Sequence, residues 1–358
     1  MSNLDTAKAA LVDALHAQYA LNSAVNAAAD ALSQVVLLDP WMLVDQTGMT
    51  DVTDAIQRAF DAGLTVPAGR YLVAPNKLTV TRDVTLAADA VLVLIPNGLT
   101  RYAVVTVAAD DVSFTGGRIT GDRLAHDYTA IGTHEWGYGL KLSGDRIKVN
   151  GTVCELCTGD GIAGSGLNIE IRNVVCTKNR RNGASFFNAS GLRVYGSEFS
   201  YTGAAGTNPG AANGPWAGVD IEPDAGGADD IVFDTCRFIR NGSAGFLMWT
   251  RAGTGATVTH VVLSNSTLDS NANGVETKGL GGAVTLSAIR NTLLRHKGAA
   301  FKVGAGSVAS IGSESQDDAN IITGMATRTA SLQQGIVTRY DIQVSSGGSA
   351  NVGWNQYR

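Results

Sequence analysis

The sequence predicts an all-β protein: a right-handed single-stranded parallel β-helix, one chain wound rung upon rung, preceded by an α-helix. Three observations carry this. Glycine is abundant, 43 of 358 residues, while only 16% of residues are charged, which suits a folded, turn-rich β protein and is the reverse of a disordered chain. Glycines recur in one column, at 139, 161, 183, 218, 245 and 274, with Ala300 as a seventh member. A short alternating segment follows each of them: Leu140-Lys141-Leu142, Ile162-Ala163-Gly164, Ala184-Ser185-Phe186, Val219-Asp220-Ile221, Phe246-Leu247-Met248, Val275-Glu276-Thr277 and Phe301-Lys302-Val303. Strand alternation sends the first and third residues inward and the middle one outward.

A second column precedes the glycines. It reads Cys154, Cys176, Phe238, Leu268 and Leu294, followed three residues later by Cys157, Asn179, Asn241, Asn271 and Lys297. The first set reads as stacked core side chains and the asparagines as an amide ladder in a turn. Cys154 and Cys157 then become buried thiols rather than metal ligands, because no second pair or histidines stand at ligand spacing. Neither a metal nor a cofactor is expected. The shortest glycine intervals, 139 to 161 and 161 to 183, are the length of one three-strand coil. The longest, 183 to 218, holds the Gly-, Ala- and Asn-rich stretch Gly203–Pro215, read as a loop walling a groove or as a neutral insertion.

The rest of the chain is read around this core. Residues 1–38 form an N-terminal helix: Leu4, Ala7, Leu11, Ala14, Gln18, Leu21, Val25, Ala28, Leu32 and Val35 follow 3-4 spacing until Asp39-Pro40. That stripe suits a short coiled coil or a cap on the solenoid's open end. Residues 39–75 are a lead-in with a helix from Thr53 closed by Gly63, then a turn at Pro67 and a strand. The solenoid occupies 76–322, and 323–358 form a β-rich cap or an oligomer contact. Net charge is −5 with no Lys/Arg run, so no nucleic-acid partner is expected. No apolar stretch reaches membrane-spanning length, and the N-terminus lacks a signal-like apolar region. These features predict a chain made in the cytoplasm, not inserted in a membrane.

Candidate chemistry concentrates on Val219-Asp220-Ile221-Glu222-Pro223-Asp224. Asp220 and Glu222 share the outer face with α-carbons about 7 Å apart. Carboxylates this close raise at least one pKa, which a general acid needs. At matching columns stand Ser185 and Phe187 one rung before, Leu247 and Trp249 one rung after, then Glu276 and Lys278, with Trp216 just upstream. A second patch holds His126, His134, Glu135 and Trp136, while Arg180 and Arg181 bind an acidic sugar or are solvated.

The motifs G-D-R-x-x-H (121–126), H-E-W-G (134–137) and G-x-D-I-E-P-D (218–224) resemble those of phage-borne and bacterial β-helix proteins of the pectate-lyase-like superfamily, including tailspike depolymerases. The segment Thr53-Asp54-Ala55-Ile56-Gln57 before Pro67-Ala68-Gly69-Arg70-Tyr71 is similar to the start of such helices, with Val52 where a second Asp is common. The resemblance spans roughly residues 45–320 and points to Glu135, Asp220, Glu222 and Asp224 as catalytic. It implies a depolymerase cleaving a bacterial surface polysaccharide, capsule or O-antigen, by hydrolysis, and a homotrimer found in a virion tail or released outside the cell. The D-P-H-D of alginate epimerases and the ordered polygalacturonase set are absent; Arg146-Ile147-Lys148 spells the last element of that set but precedes the acidic strand. Two other functions stay open: a lyase acting on a uronate-containing glycan through His126, His134, Lys178, Arg180 or Arg181, and a non-catalytic carbohydrate-binding tail component.

Overall fold

The structure, a computed structural model, describes residues 41–203, 214–312, 319–323, 342–353 and 355–357, with Ser315 and isolated positions between 10 and 24. The chain divides into two units, Met1–Val44 and Asp45–Arg358. In the first, Ala10, Asp13, Ala14, Ala17, Gln18, Leu21 and Ala24 are helical and exposed; the rest of the expected 1–38 helix lies outside the described residues. No helix among the described residues is long and apolar enough to cross a membrane.

The second unit is a parallel β-helix. One sheet stacks twelve strands, from Thr47–Asp51 to Asn355–Tyr357. Two further ten-strand sheets run from Leu78–Val80 to Ile342–Val344 and from Val84–Thr85 to Ser349–Val352, joined through Ser190 and Asp229. Every named pairing is parallel, and each strand bonds to its counterpart one coil away. The solenoid is longer than the expected 76–322. Thr47–Asp51 and Gly69–Val73 already pair as its first rungs, and the three strands from Ile342 onward complete its last described one.

The glycine column lies in register: Leu140, Ile162, Ala184, Val219, Phe246, Val275 and Phe301 are consecutive partners. Its physical cause is close backbone approach. A Cβ on Gly139, Gly161, Gly183, Gly218, Gly245 or Gly274 would stand 2.4–3.0 Å from the carbonyl oxygen of the next column member. The ladder asparagines crowd the same points, with Asn241 Nδ2 2.7 Å from a Cβ on Gly218. Gly218→Ala is therefore expected to cost about 1–3 kcal/mol, the usual penalty for overpacking, read as a lowered unfolding midpoint.

The second column needs two corrections. Cys154, Cys176, Phe238 and Leu268 stack as expected, but Phe199 sits between Cys176 and Phe238, and Leu293 rather than Leu294 follows Leu268. Two adjacent leucines leave that register open in the sequence, and a one-residue slip reverses which side chain points inward. Phe199 and Phe238 are stacked with centroids 5.7 Å apart, and Phe233 and Phe246 pack against them edge-on or tilted. Three residues after Phe199 comes Thr202, and three after Leu293 comes His296, which displaces Lys297 from the ladder.

The amide ladder closes turns from within. Asn271 Nδ2 donates to Phe238 O at 2.8 Å, while its Oδ1 accepts from Asn241 N at 2.9 Å. Asn179 and Asn241 repeat this one step earlier, and Asn291, Asn320 and Asn355 form a second ladder in another turn. His296 is fully buried with no well-formed hydrogen bond to either ring nitrogen among the described residues; burial pushes its pKa down to about 4, against a weaker opposing pull from the backbone of Asn271 and Leu268 and from Asp269. A depressed histidine contributes a stability loss as pH falls from about 6.5 toward 4, because the unfolded chain binds the proton first. His296→Asn, which restores a ladder amide, is expected to flatten that part of the stability profile.

The helix Thr53–Ala62 covers one end of the solenoid. It buries Ile56, Ala59 and Phe60, and Gly63 in the left-handed region (φ 68°) ends it. Gln57 bonds the outer edge of Leu78–Val80 like a missing strand, accepting from Thr79 N at 2.7 Å and donating to Thr79 O at 2.9 Å. This helix thus hides the sheet edge at the described end.

Candidate active site

A lateral groove of about 980 Å³ opens on the sheet that carries the glycine column. Its carboxylates are Glu135, Glu222 and Asp224, its aromatic walls Tyr102, Trp136, Tyr138, Phe187 and Trp249, and its cations Arg101, Lys141, Arg181 and Arg251. Register explains the convergence. Ser185, Asp220, Leu247 and Glu276 are consecutive partners, as are Trp249 and Lys278. Part of the floor is an apolar patch of Ala103, Tyr138 and Ala163, against which Trp136 and Phe187 pack. The small side chains at 103 and 163 leave room above Tyr138.

Asp220 points to the outer face, as alternation requires, yet it is only 1% exposed and does not line the groove. Asn182 Nδ2 lies 3.4 Å and Arg181 Nη2 4.0 Å from its Oδ2, closing over it. Burial pushes its pKa up to about 8, and the Glu222 and Asp160 charges add to this against the opposing effect of Arg181. Ion-pair distance and titration thus point opposite ways for Arg181 and Asp220. The titration prevails, because Arg181 has closer bonds elsewhere: Nη1 to Asp160 Oδ2 at 2.8 Å and Nε to Gly214 O at 3.2 Å. Asp160 is itself buried and its pKa is pushed up by burial against the pull of Arg181, whose closest carboxylate it is, while Glu222 takes the closest bond of Arg251.

Glu222 is 7% exposed and reaches the groove. Its Oε1 accepts from Arg251 Nη2 at 2.9 Å, and its Oε2 lies 3.9 Å from Arg181 Nη2. Asp224 and Glu135 add to the negative field at Arg251. Since Asp220 and Glu222 both approach one Arg181 nitrogen, their carboxylates lie within about 8 Å of each other.

Several expected site residues stand elsewhere. His126 and His134 are buried at 7% and 3% exposure and do not line the groove; they bond each other, and His126 also bonds Asp122. Arg180, 1% exposed, donates to the carbonyls of Thr158, Thr133 and His134, so its guanidinium braces a loop rather than meeting a sugar. Trp216 is half-buried with its ring against Gly203, where a Cβ would stand 2.4 Å from Cγ. Lys278 is exposed with its ammonium 5.7 Å from the Trp249 ring centre, flanking rather than lining the groove.

Lys141, Arg251, Asp160 and Arg101 are among the participants missed. Lys141 is the middle, outward residue of its own repeat segment, and Arg251 continues the outward parity of Trp249, so both were within reach of the pattern. Asp160 directly precedes a column glycine. Its Oδ1 accepts from Asn182 N at 2.9 Å, as Asn182 Oδ1 accepts from Ala217 N one rung on. Arg101 stacks over Trp136 at 4.2 Å because the two are strand partners, a contact no local pattern announces.

Stacked coils, a glycine column and one lateral groove define a right-handed parallel β-helix protein. The family description "Right handed beta helix region" matches residues 126–293. The SPbeta prophage-derived uncharacterized protein YorA of Bacillus subtilis (strain 168) is 29% identical over 192 residues, covering 46% of this chain and 32% of that protein. The chain spans about a third of the length of the curated relatives it matches. Among solved structures, a hyperthermoactive exopolygalacturonase from Thermotoga maritima superposes with TM-score 0.59 at 14% identity, over 87% of this chain and 89% of that one. The Dettilon tailspike protein superposes with TM-score 0.58 at 14% identity, over 79% and 54%. At these identities the structural likeness shows the fold.

Proposed function

We propose that the groove binds and cleaves a polysaccharide by hydrolysis of glycosidic bonds, as a tailspike-type depolymerase acting on a bacterial capsule or O-antigen. The observation that carries this is the union of three carboxylates, five aromatic rings and two carboxylate-bound arginines in a single groove. Aromatic faces suit the apolar faces of pyranose rings, and glycoside hydrolysis needs paired carboxyl groups. Glu222, fixed between Arg181 and Arg251, acts as base or nucleophile. Glu135, half-buried on the wall beside Trp136, protonates the leaving oxygen. Asp220 supports Glu222 from beneath: in its acid form it leaves Arg181 to Asp160 and Glu222. The prophage origin of one relative and the tailspike likeness support a phage-tail setting and a homotrimer.

The test is digestion of a panel of capsules and O-antigens with mass analysis of products. New reducing ends without unsaturation are expected; binding without cleavage on every glycan would leave a carbohydrate-binding component instead. A trimer mass by light scattering is expected of the full chain, and a monomer mass would refute that part. One observation favours a second reading. Arg101 and Lys141 line the groove without a carboxylate partner among the described residues, so they are available to a uronate. Their charge would offset the repulsion of a uronate by Glu135, Glu222 and Asp224, and ultraviolet absorbance from unsaturated ends during digestion would select this reading.

A further inference from the structure

The loop that brings Glu135 and Trp136 to the groove is tied down by a buried chain of hydrogen bonds whose geometry determines its proton count. His134 Nε2 lies 2.9 Å from the carbonyl oxygen of Ala130. A carbonyl only accepts, so this nitrogen carries hydrogen. At the other end, His126 Nδ1 lies 2.8 Å from Asp122 Oδ2. That oxygen already accepts from Asn97 N at 3.1 Å and Asn97 Nδ2 at 2.9 Å, leaving no place for a proton of its own. Tyr102 Oη at 2.5 Å and Thr158 Oγ1 at 2.9 Å donate to Oδ1. His126 Nδ1 therefore carries hydrogen too. His126 Nε2 and His134 Nδ1 are 2.9 Å apart, a bond that takes one hydrogen between them. Three hydrogens on four ring nitrogens leave the pair with one positive charge.

We propose that Asp122, His126 and His134 form an internal ion pair, the two histidines sharing one positive charge, that positions Glu135 and Trp136 on the groove wall. The three are positioning residues; none touches the groove. His134 takes the left-handed conformation (φ 49°), which is strained for a non-glycine residue. The ring bonds hold it from one side. Arg180 holds it from the other, donating to His134 O at 2.6 Å and Thr133 O at 2.9 Å. Burial works against the Asp122 carboxylate, yet hydrogen bonds from His126 and Tyr102 keep its pKa below the ordinary value. Tyr102 stacks on His126, and Tyr128 meets both imidazoles while also facing Arg180. Asp127 lies within the field of both histidines. A second proton would set two N–H groups head to head beside the Arg180 charge. Loss of the shared proton would leave Asp122 buried without a counter-charge, a costly state.

Imidazole 15N NMR of the full chain at neutral pH tests the proton count without substrate. Three protonated ring positions across His126 and His134 are expected, and two neutral rings would overturn the proposal. In Asp122→Asn the counter-charge is gone, so the pair should become neutral. Amide exchange over residues 130–136 should rise about tenfold or more while Ile162–Leu167 and Ala184–Ser190 keep their protection. A pair that stays charged, a loop that exchanges as before, or a uniform rise across all rungs would each refute it. None of these readouts depends on glycan cleavage, so they stand apart from the reading of the groove.

Discussion

Glu222→Gln is expected to lower polysaccharide cleavage by about 10³-fold or more while leaving the unfolding midpoint close to that of the parent chain. Removing a positioned acid–base group usually costs about 10²–10⁴ in rate, and a nucleophile costs at least as much. The substitution is nearly isosteric. The amide oxygen still accepts from Arg251, so the wall between the strand Val219–Ile221 and Trp249 keeps its shape. What disappears is the negative charge opposite Arg181 and Arg251 and the lone pair that attacks or activates water. Release of reducing ends and a melting curve on the same sample check both halves. Activity within about tenfold of the parent would remove Glu222 from the chemistry and leave Glu135 and Asp224 as the groove's carboxylates. An equal loss in rate and midpoint would make its role structural.

Asp220→Asn is expected to raise stability, most strongly in alkaline solution. Asp220 titrates near 8 in the folded chain because it is buried, against an ordinary value of 3.8. The folded state therefore holds a proton that the unfolded state gives up from about pH 4 upward. Stability from this group is fully present below that pH and falls as pH rises toward 8. At about 1.4 kcal/mol per unit the ceiling on the loss is about 4 kcal/mol at pH 7, and relaxation around the site reduces it. Asparagine has no proton to lose, so the difference between variant and parent should widen from pH 4 to 8 and then level off. Denaturant unfolding across that range checks it. A constant difference, or one that shrinks with pH, would show that Asp220 is ionised in the fold and paired with Arg181 after all.

Much of the fold was legible because a solenoid repeats its physics every coil. Each close backbone approach excludes a side chain, so glycine returns at each rung, and the shared spacing gave the register of seven strands without any long-range information. Legibility failed where the pattern was locally degenerate. Leu293 and Leu294 satisfy the core equally well, and the choice between them decided whether His296 or Lys297 entered the ladder. It failed again at residues 39–75 and beyond 323, where rungs differ in length and the column has no glycine to mark it.

The candidate site divides along the same line. Alternation and repeat spacing, properties of the chain alone, placed Glu222 and Asp220 on one outer face between Phe187 and Trp249. Whether a residue on that face meets water depends on what crosses over it, and that is long-range. Arg181 and Asn182, from the turn one rung earlier, close over Asp220 and leave Glu222 reaching the groove. The 121–136 loop turns His126 and His134 inward because Asp122 and Arg180 offer buried partners and the Ala130 carbonyl a third, while Glu135 and Trp136 next to them face out. Periodicity thus determined direction, which is a local property of the backbone. Depth, charge state and partnership were decided only when distant turns packed together, because burial and electrostatics are sums over neighbours in space.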